Sequence, residues 1–190
     1  MTIEKAALPR AIICVDFSNY HYYLNKRKWK IDWKKFINYF QCFYTLEAIF
    51  YYEGVPSKAV YLDRHRGKSE EDFNLAKMAK LRFHQSLKRL SIKVRSKPVS
   101  RVYDDTEGRF KHKCNFDVDL TIDAVDNLDR LDIFILCSGD GDFTRLIKYT
   151  KGRHKKAVVV APSERLAHTL ENAANKVIYL EDIRHEIEQS

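Results

Sequence analysis

Glycine and proline are scarce in this chain, and long apolar runs are missing from it. Only 6 of its 190 residues are glycine and 4 are proline, which excludes collagen-like, linker and low-complexity sequences. No apolar run approaches the roughly 18 residues that a membrane-spanning helix needs, and the first residues lack a signal-peptide pattern. We therefore expect a cytoplasmic protein that makes no contact with a membrane.

Cysteine is also sparse, with only Cys14, Cys42, Cys114 and Cys137 present. No two of them have the C-x-x-C spacing, which argues against a zinc finger or ribbon. Cys14 and Cys137 lie inside apolar runs and are predicted to be buried thiols. The chain lacks the G-x-x-x-x-G-K-[ST] motif as well, which argues against a P-loop NTPase.

Size and charge narrow the class of protein. A length of 190 residues suits a single domain over residues 1–190, because one hydrophobic core stops growing near about 250 residues. Hydrophobic residues make up 45% of the chain, enough for a sizeable core, and the net charge is +8. An excess of basic residues has two interpretations, namely a solvated basic surface or a surface that binds a polyanion such as nucleic acid.

Short apolar runs alternate with amphipathic segments along the chain. Strands are predicted at residues 10–15, 47–54, 91–99, 133–137, 156–162 and 176–180. Helices are predicted from 33, over 69–90 and 116–128, from 143, from 163 and at the end of the chain. A basic loop is expected at about 55–68 and a hairpin at about 100–113. This alternation predicts an α/β protein, a three-layer α-β-α sandwich with a mainly parallel central sheet.

Acidic residues follow two of the predicted buried strands. Asp16 comes directly after the strand at 10–15, and Asp140 follows the strand at 133–137. If these strands are parallel neighbours, their carboxyl ends bring the two carboxylates together, where ligands bind in such sheets. Asp142 follows Asp140 in the segment SGDGDF, and its two glycines are expected to let the backbone bend so that both acids face inward.

The predicted helix at 116–128 contains several aspartates, but only one of them lies within its apolar stripe. At about 100° per residue, Asp117 lies within about 80° of four apolar residues of the helix, which are Leu120, Ala124, Val125 and Leu128. The aspartates predicted to face solvent are Asp119, Asp123 and Asp126. An unpaired buried charge is costly, so Asp117 needs either a cation of this chain, such as Lys113, or a metal ion.

Carboxylates that converge at one place repel each other. At about 4 Å and an effective dielectric constant near 20, each pair costs about 4 kcal/mol, so a bound cation is needed to keep them together. A site with only oxygen ligands favours Mg²⁺ or Mn²⁺. Such an ion can generate hydroxide and stabilise an in-line displacement at phosphorus. The segment after residue 137 is therefore predicted to be a metal site.

Three motifs in order resemble those of the NYN-domain branch of the PIN-like ribonuclease superfamily. ICVDFSNYHYYL has Asp16 and Asn19 in the D-x-x-N positions, KCNFDVDL is similar to K-G-N-x-D-x-x-L, and LCSGDGDF is similar to S-G-D-x-D-F. The motifs extend over nearly the whole chain, and the segment APSERL also fits. Cys114 departs from the pattern, which favours glycine there, and a larger side chain beside Lys113 would narrow the entry of substrate.

The resemblance implies a PIN-like fold and a metal-dependent endoribonuclease, in which metal-activated water attacks the RNA phosphodiester in line. The residues implied to ligate Mg²⁺ or Mn²⁺ are Asp16, Asp117, Asp140 and Asp142, some of them through water. Asn19 and Ser138 would support the site by hydrogen bonds. RNA, single-stranded or structured, is the implied partner, and DNA is a second candidate.

Basic segments offer candidate contacts to nucleic acid. NKRKWK and RFKHK each combine cations with an aromatic residue, a combination that suits phosphate contact and base stacking. The candidate residues are Lys28, Trp29, Arg109, Lys111 and Lys113. The last three precede Asp117 most closely and are the best placed for a scissile phosphate, although a run of charges is also typical of a solvated face.

Two other functions are compatible with the same sequence. One is a catalytically weak RNA-binding or partner-docking module, since a fold does not determine a function. The other is a phosphoryl-transfer enzyme that acts on a small molecule. The full set of acids favours a nuclease over the first, because a pure binding module gains nothing from mutually repelling carboxylates, and the basic surface counts against the second.

Overall fold

A computed structural model describes residues 7–106 and 108–189, and within this part of the chain seven strands form one sheet. The strands are β1 (Arg10–Asp16), β2 (Thr45–Pro56), β3 (Ile92–Asp104), β4 (Arg109–Lys113), β5 (Ile133–Cys137), β6 (Lys156–Ala161) and β7 (Lys176–Tyr179). Their order is β4-β3-β2-β1-β5-β6-β7. All neighbours are parallel except β3 and β4, so the predicted mainly parallel sheet is confirmed.

Helices cover both faces of this sheet. They are α1 (Phe17–Arg27), α2 (Trp33–Gln41), α3 (Lys58–Arg64), α4 (Glu70–Arg89), α5 (Asp117–Asn127), α6 (Thr144–Gly152), α7 (His168–Ala173) and α8 (Arg184–Ile187). Side chains of α1, α2, α4 and α8 pack in the core on one face, and those of α5, α6 and α7 pack in the core on the other. The three-layer α-β-α sandwich is therefore confirmed. Among the described helices, none is long and apolar enough to cross a membrane.

The central strands are buried on both faces, which explains their continuous apolar sequences. In β1, the alternate residues Ile13 and Val15 enter the core beneath α1 and α2, whereas Ile12 and Cys14 enter the core beneath α5. All four side chains are inaccessible to solvent. Strand β1 is thus fixed at the centre of the sheet by apolar contacts on both sides.

Side-chain caps define the starts of two predicted helices. The Asp32 carboxylate accepts hydrogen bonds from the backbone N–H groups of Lys34 and Lys35 at the start of α2. Ser69 and Asp72 form a reciprocal capping box at the start of α4.

Other segments differ from the sequence-based prediction. The expected basic loop at 55–68 instead contains the end of β2 and helix α3, which is capped by the Ser57 hydroxyl. Ser163 does not cap a helix, because its N–H and hydroxyl both donate to the Glu181 carboxylate. The predicted hairpin is present, since β3 and β4 pair antiparallel from Ser100–Lys113 to Asp104–Arg109.

The order of the strands places a crevice at the end of β1. From β1 the chain continues to β2 and β3 on one side, and later to β5, β6 and β7 on the other. Such a reversal opens a gap between the connections at the carboxyl ends of the strands, where α/β proteins bind ligands. Here the gap lies between the ends of β1 and β5.

Candidate active site

Two predicted site residues meet at the ends of neighbouring strands. Asp16 is the last residue of β1, and Ser138 directly follows β5, whose residue Cys137 pairs with Val15 of β1. The Ser138 hydroxyl donates a hydrogen bond of 3.1 Å to Oδ2 of Asp16. The predicted parallel pairing of these two strands is confirmed, and it brings the SGDGDF segment to Asp16.

Hydrogen bonds hold the SGDGDF segment in place. The backbone N–H of Gly139 donates to Oδ1 of Asn19 at 3.1 Å, which ties the segment to α1. The N–H of Asp140 donates to the Ser138 hydroxyl at 3.2 Å, and the N–H of Asp142 donates to Oδ1 of Asp140 at 3.0 Å. Asn19 and Ser138 are thus placed to position the acidic residues.

The two glycines of this segment allow close packing. A Cβ atom on Gly139 would lie 2.3 Å from the carbonyl oxygen of Arg165, and one on Gly141 would lie 3.2 Å from Cβ of Ala167. Neither glycine has a left-handed φ, so neither adopts the backbone conformation that favours glycine. They let the segment at 165–167 approach, and the N–H of Ala167 donates to the Gly139 carbonyl at 2.9 Å.

Asp117 is the first residue of α5 and is half-buried. Oδ2 of Asp117 accepts a hydrogen bond of 2.7 Å from Nδ2 of Asn115, and its N–H donates to Oδ1 of Asn115 at 2.6 Å. The sequence alternative of an ion pair with Lys113 falls on a side chain outside the described residues.

The buried face of α5 is rotated from the predicted one. Asp123 was expected to face solvent, but it accepts hydrogen bonds from the Tyr52 hydroxyl at 2.8 Å and from Nε of Arg95 at 3.0 Å. The fully buried residues of α5 are Leu120 and Ala124, which lie four positions apart and therefore on the same side of the helix. The buried face is centred near Leu120. Asp117 and Asp123 therefore lie at opposite edges of the buried face.

All four predicted acids line one open cavity of about 270 Å³, which we call the acidic cavity. Its lining residues are Asp16, Ser18, Asn19, Cys114, Asn115, Phe116, Asp117, Asp140, Asp142 and Arg165. Asp142 is the most exposed of the four acids. The structure therefore gathers aspartates that are up to 126 positions apart in the sequence, since Asp16 and Asp142 line the same cavity.

Asp16 is the most perturbed carboxylate of the acidic cavity. Burial raises the pKa of Asp16 to about 6, against the opposing effect of hydrogen bonds from Ser138 and Asn19. The negative charges of Asp117 and Asp140 raise it further. A buried carboxylate under repulsion from two others is an environment that a cation would stabilise.

The donor atoms of the acidic cavity fit a hard divalent cation. Carboxylates and the Asn19 side-chain amide line the cavity and offer oxygen atoms, which are the ligands that Mg²⁺ and Mn²⁺ prefer. Burial raises the pKa of the Cys114 thiol, which disfavours a thiolate ligand there. Within residues 7–106 and 108–189, no three His, Cys, Asp or Glu side chains are already arranged around a common metal position. Binding a cation would therefore draw the carboxylates closer together than they lie here.

Arg165 also lines the acidic cavity, a position that was not predicted from the sequence. It belongs to a short 3₁₀ helix at Ser163–Arg165, and its guanidinium lies 5.4 Å from the ring centroid of Tyr22. The match of the segment APSERL to the family pattern was the signal that could have identified it. Arg165 brings a positive charge to a cavity whose other charged lining residues are aspartates.

Trp29 does not have the predicted stacking role. It is only 4% exposed, packs edge-on against Tyr23 at 6.5 Å, and has the Arg184 guanidinium 5.4 Å from its ring. Its ring is therefore enclosed and cannot stack on a base. The preceding residue, Lys28, is exposed and has a left-handed φ of 55°, which turns the chain so that Trp29 points inward.

The basic strand β4 leads directly to the acidic cavity. Lys111 forms an ion pair of 2.6 Å with Asp104 of β3. The side chains of Arg109 and Lys113 lie outside the described residues. Since Cys114 lines the cavity immediately after β4, the backbone brings this basic strand to its edge.

Comparisons with known proteins found similarities that extend over most of the chain. A family model described as the NYN domain matches residues 10–181. The "Low amplitude and bright protein LabA" of Synechococcus elongatus is 28% identical over 184 residues, which cover 95% of this chain and 89% of that protein. The crystal structure of a protein of unknown function from Vibrio parahaemolyticus has a TM-score of 0.73 at 21% identity, with 98% of this chain and 100% of that chain covered. This last similarity shows a shared fold.

Proposed function

Because the chain belongs to the NYN domain family of PIN-like nuclease domains, we propose that it is a metal-dependent endoribonuclease. It would hydrolyse phosphodiester bonds of RNA by in-line attack of water. The observation that carries this proposal is the convergence of Asp16, Asp117 and Asp140 in one cavity at the end of β1. A cavity in which three carboxylates repel each other is suited to a cation and to the phosphate that a cation binds.

Mg²⁺ or Mn²⁺ would be held by the four aspartates of the acidic cavity. When bound, the cation supplies positive charge to the phosphate and acidifies water. The hydrogen bond from Ser138 fixes the Asp16 carboxylate. Asp142 is exposed at the cavity, and we assign it a role through water rather than in direct contact.

The remaining residues orient the phosphate. The Arg165 guanidinium can donate two parallel hydrogen bonds to phosphate oxygens, which fixes the phosphate relative to the carboxylates. In-line attack forms a bond between the water oxygen and phosphorus and breaks the bond from phosphorus to the 3′ oxygen. The products are then a 5′-phosphate and a 3′-hydroxyl, and the ribose 2′-hydroxyl takes no part.

Incubation with labelled single-stranded RNA, duplex RNA and DNA tests this proposal, with Mn²⁺ or with a chelator. We expect RNA cleavage with Mn²⁺, no cleavage in chelator, and loss of cleavage in Asp140→Asn. Asp126→Asn is the matched control, because Asp126 is an exposed aspartate of α5 outside the cavity. Full activity in excess chelator, or products ending in a 2′,3′-cyclic phosphate, contradicts the proposal.

A further inference from the structure

A second cavity of about 270 Å³ lies between the end of β2, α3 and α4, and we call it the α3–α4 pocket. Its lining includes the aromatic residues Tyr61 and Phe73 and the cations Arg64, Lys77 and Lys80. We propose that this pocket binds one unpaired base and the adjoining phosphate of the RNA strand that is cleaved in the acidic cavity. The inference rests on the proposed function and extends it to the choice of substrate.

Aromatic rings form one wall of the α3–α4 pocket. Tyr61 of α3 and Phe73 of α4 are half-buried, and their ring centroids are 5.6 Å apart. His65 lies beside Tyr61, with 4.6 Å between the ring centroids. Protein contacts hold these rings on one side while they line the pocket on the other. Such fixed rings suit stacking of a nucleobase.

The charges in the pocket leave two cations for a phosphate. Glu53 is 5% exposed and accepts hydrogen bonds from Nζ of Lys80 at 2.6 Å and from Nε2 of His84 at 2.8 Å. Burial raises the pKa of Glu53, but these two partners outweigh burial and hold the pKa below its ordinary value. Lys80 is therefore paired with Glu53. Lys77 and Arg64 remain to bind an anion, Arg64 through its terminal nitrogens, because its Nε donates to Nδ1 of His112 at 3.3 Å.

The two cavities adjoin each other. Gly54 lines the α3–α4 pocket, and a Cβ atom on Gly54 would lie 3.0 Å from Cβ of Cys114, which lines the acidic cavity. On α1, Ser18 lines the acidic cavity and His21, about one turn later, lines the α3–α4 pocket. A strand with its scissile phosphate at the acids can therefore cross this contact and place a neighbouring nucleotide in the pocket.

The pocket selects for single strands. Its volume is slightly below the range of about 300–1,000 Å³ typical of sites for whole small molecules, which suits one base. A base can enter only if it has left its duplex partner, and single-stranded segments are where proteins read unstacked RNA bases. Glu53 is the only buried carboxylate described in the lining, and its hydrogen bonds to Lys80 and His84 leave it unable to read the edge of a base. The base is then recognised by stacking, which should tolerate any base.

Equilibrium binding to Asp140→Asn, which keeps the RNA intact under the proposed function, tests the pocket. In this background we compare Tyr61→Leu and Lys77→Gln with Lys176→Gln, an exposed residue at the amino end of β7, away from the carboxyl ends. Tyr61→Leu should weaken binding of a single-stranded oligonucleotide about tenfold. Lys77→Gln should reduce the slope of log K against log salt by about 0.7. Lys176→Gln should leave both unchanged.

The outcomes separate the pocket from the proposed hydrolysis. If RNA is cleaved with Mn²⁺ but the Tyr61 and Lys77 variants bind like Lys176→Gln, the pocket is overturned and hydrolysis stands. If these variants weaken binding but unmodified protein never cleaves RNA, the pocket stands and hydrolysis is overturned. Absence of RNA binding, or equal affinity for duplex and single strand, overturns the pocket. Because Lys77 is exposed, its variant tests the pocket even if Tyr61→Leu fails to fold.

Discussion

At the scale of single residues, Asp16 is a carboxylate whose ionisation is opposed by burial and by neighbouring negative charges. Its pKa of about 6 exceeds that of an unfolded chain, so the folded protein binds a proton more readily between about pH 4 and 6. Stability contributed by this group therefore increases as the pH falls through 6, and ionised Asp16 destabilises the fold above that pH. Asp117, which the sequence predicts to lie within the apolar stripe of its helix, is half-buried at the edge of the buried face of α5.

We expect Asp16→Asn to be more stable than unmodified protein at pH 8 in chelator, because the amide removes the buried charge. The gain should be at most about 2–3 kcal/mol, from a shift of roughly two pKa units, and it should vanish near pH 4. Urea denaturation at both pH values measures it, with Asp126→Asn as the exposed control. An Asp16→Asn protein that is less stable at pH 8 would show that the carboxylate is compensated by other groups.

Metal binding should stabilise unmodified protein more than Asp16→Asn. At a hundredfold excess over its dissociation constant, Mn²⁺ should stabilise unmodified protein by about 2.7 kcal/mol. Asp16→Asn should gain much less, because it lacks a charged ligand. Thermal denaturation with and without Mn²⁺ measures the difference, and equal stabilisation of both proteins would remove Asp16 from the proposed ligands.

Single residues also show where sequence reasoning succeeds and fails. The convergence of Asp16 and Asp140 could be predicted because both follow apolar runs, and parallel neighbours end at the same edge. The burial of Trp29 could not be predicted from its basic neighbours, because it depends on the left-handed conformation of Lys28. A local backbone reversal changes which side chain faces the core without changing the pattern of charges.

At the scale of elements, α5 carries aspartates with different roles at the two edges of its buried face. Asp117 has a proposed catalytic role, and Asp123 has a structural one. Asp123 accepts hydrogen bonds from the buried Tyr52 and from Arg95, whereas Asp117 contacts Asn115 at the acidic cavity. Asp123→Asn should cost about 1–3 kcal/mol in stability, because it weakens charged hydrogen bonds to partly buried groups. Its cleavage rate per folded molecule should be unchanged.

Asp117→Asn should show the reverse, with stability close to that of unmodified protein and with cleavage lost. Denaturation and cleavage assays on Asp117→Asn and Asp123→Asn compare the effects of the same substitution at the two edges of the buried face of α5. If Asp117→Asn cleaves RNA normally, Asp117 is not a ligand. If Asp123→Asn abolishes cleavage while it remains folded, the catalytic edge has been misassigned.

Helix α3 shows why one element was missed. Its sequence is short, basic and preceded by Pro56, and loops share these features. The start of α3 depends on the Ser57 hydroxyl, which accepts a hydrogen bond from the N–H of Val60. Ser57→Ala should cost about 1 kcal/mol, and because α3 carries Tyr61 and Arg64, it should also weaken single-stranded RNA binding. Ser57→Asp, which retains a cap, should preserve both. If Ser57→Ala loses stability but keeps its affinity for single-stranded RNA, α3 has no role in RNA binding.

At the scale of the whole molecule, the layered α/β architecture followed from the sequence more fully than its details did. Central strands such as β1 and β5 are buried on both faces, so their apolar runs identify them without knowledge of their neighbours. The position of Cys114 against Gly54, which separates the two cavities, depends on contacts between β2 and the segment after β4. Such contacts across the sheet have no local signal in the sequence.

With a net charge of +8, many cations of this chain can attract RNA. The place where RNA binds is therefore tested by replacing cations at different positions on the surface. For about four phosphate contacts on a single strand, log K should fall with log salt with a slope near −3. Replacing Arg109 and Lys113 of β4 by Gln should reduce the magnitude of this slope by about 1.4, because the strand leads to the acidic cavity. Replacing Lys156 and Lys176, at the amino ends of β6 and β7, removes the same charge at the opposite edge of the sheet and should leave the slope unchanged. If both double variants flatten the slope equally, attraction to RNA is spread over the whole surface, and β4 does not guide the strand to the carboxylates.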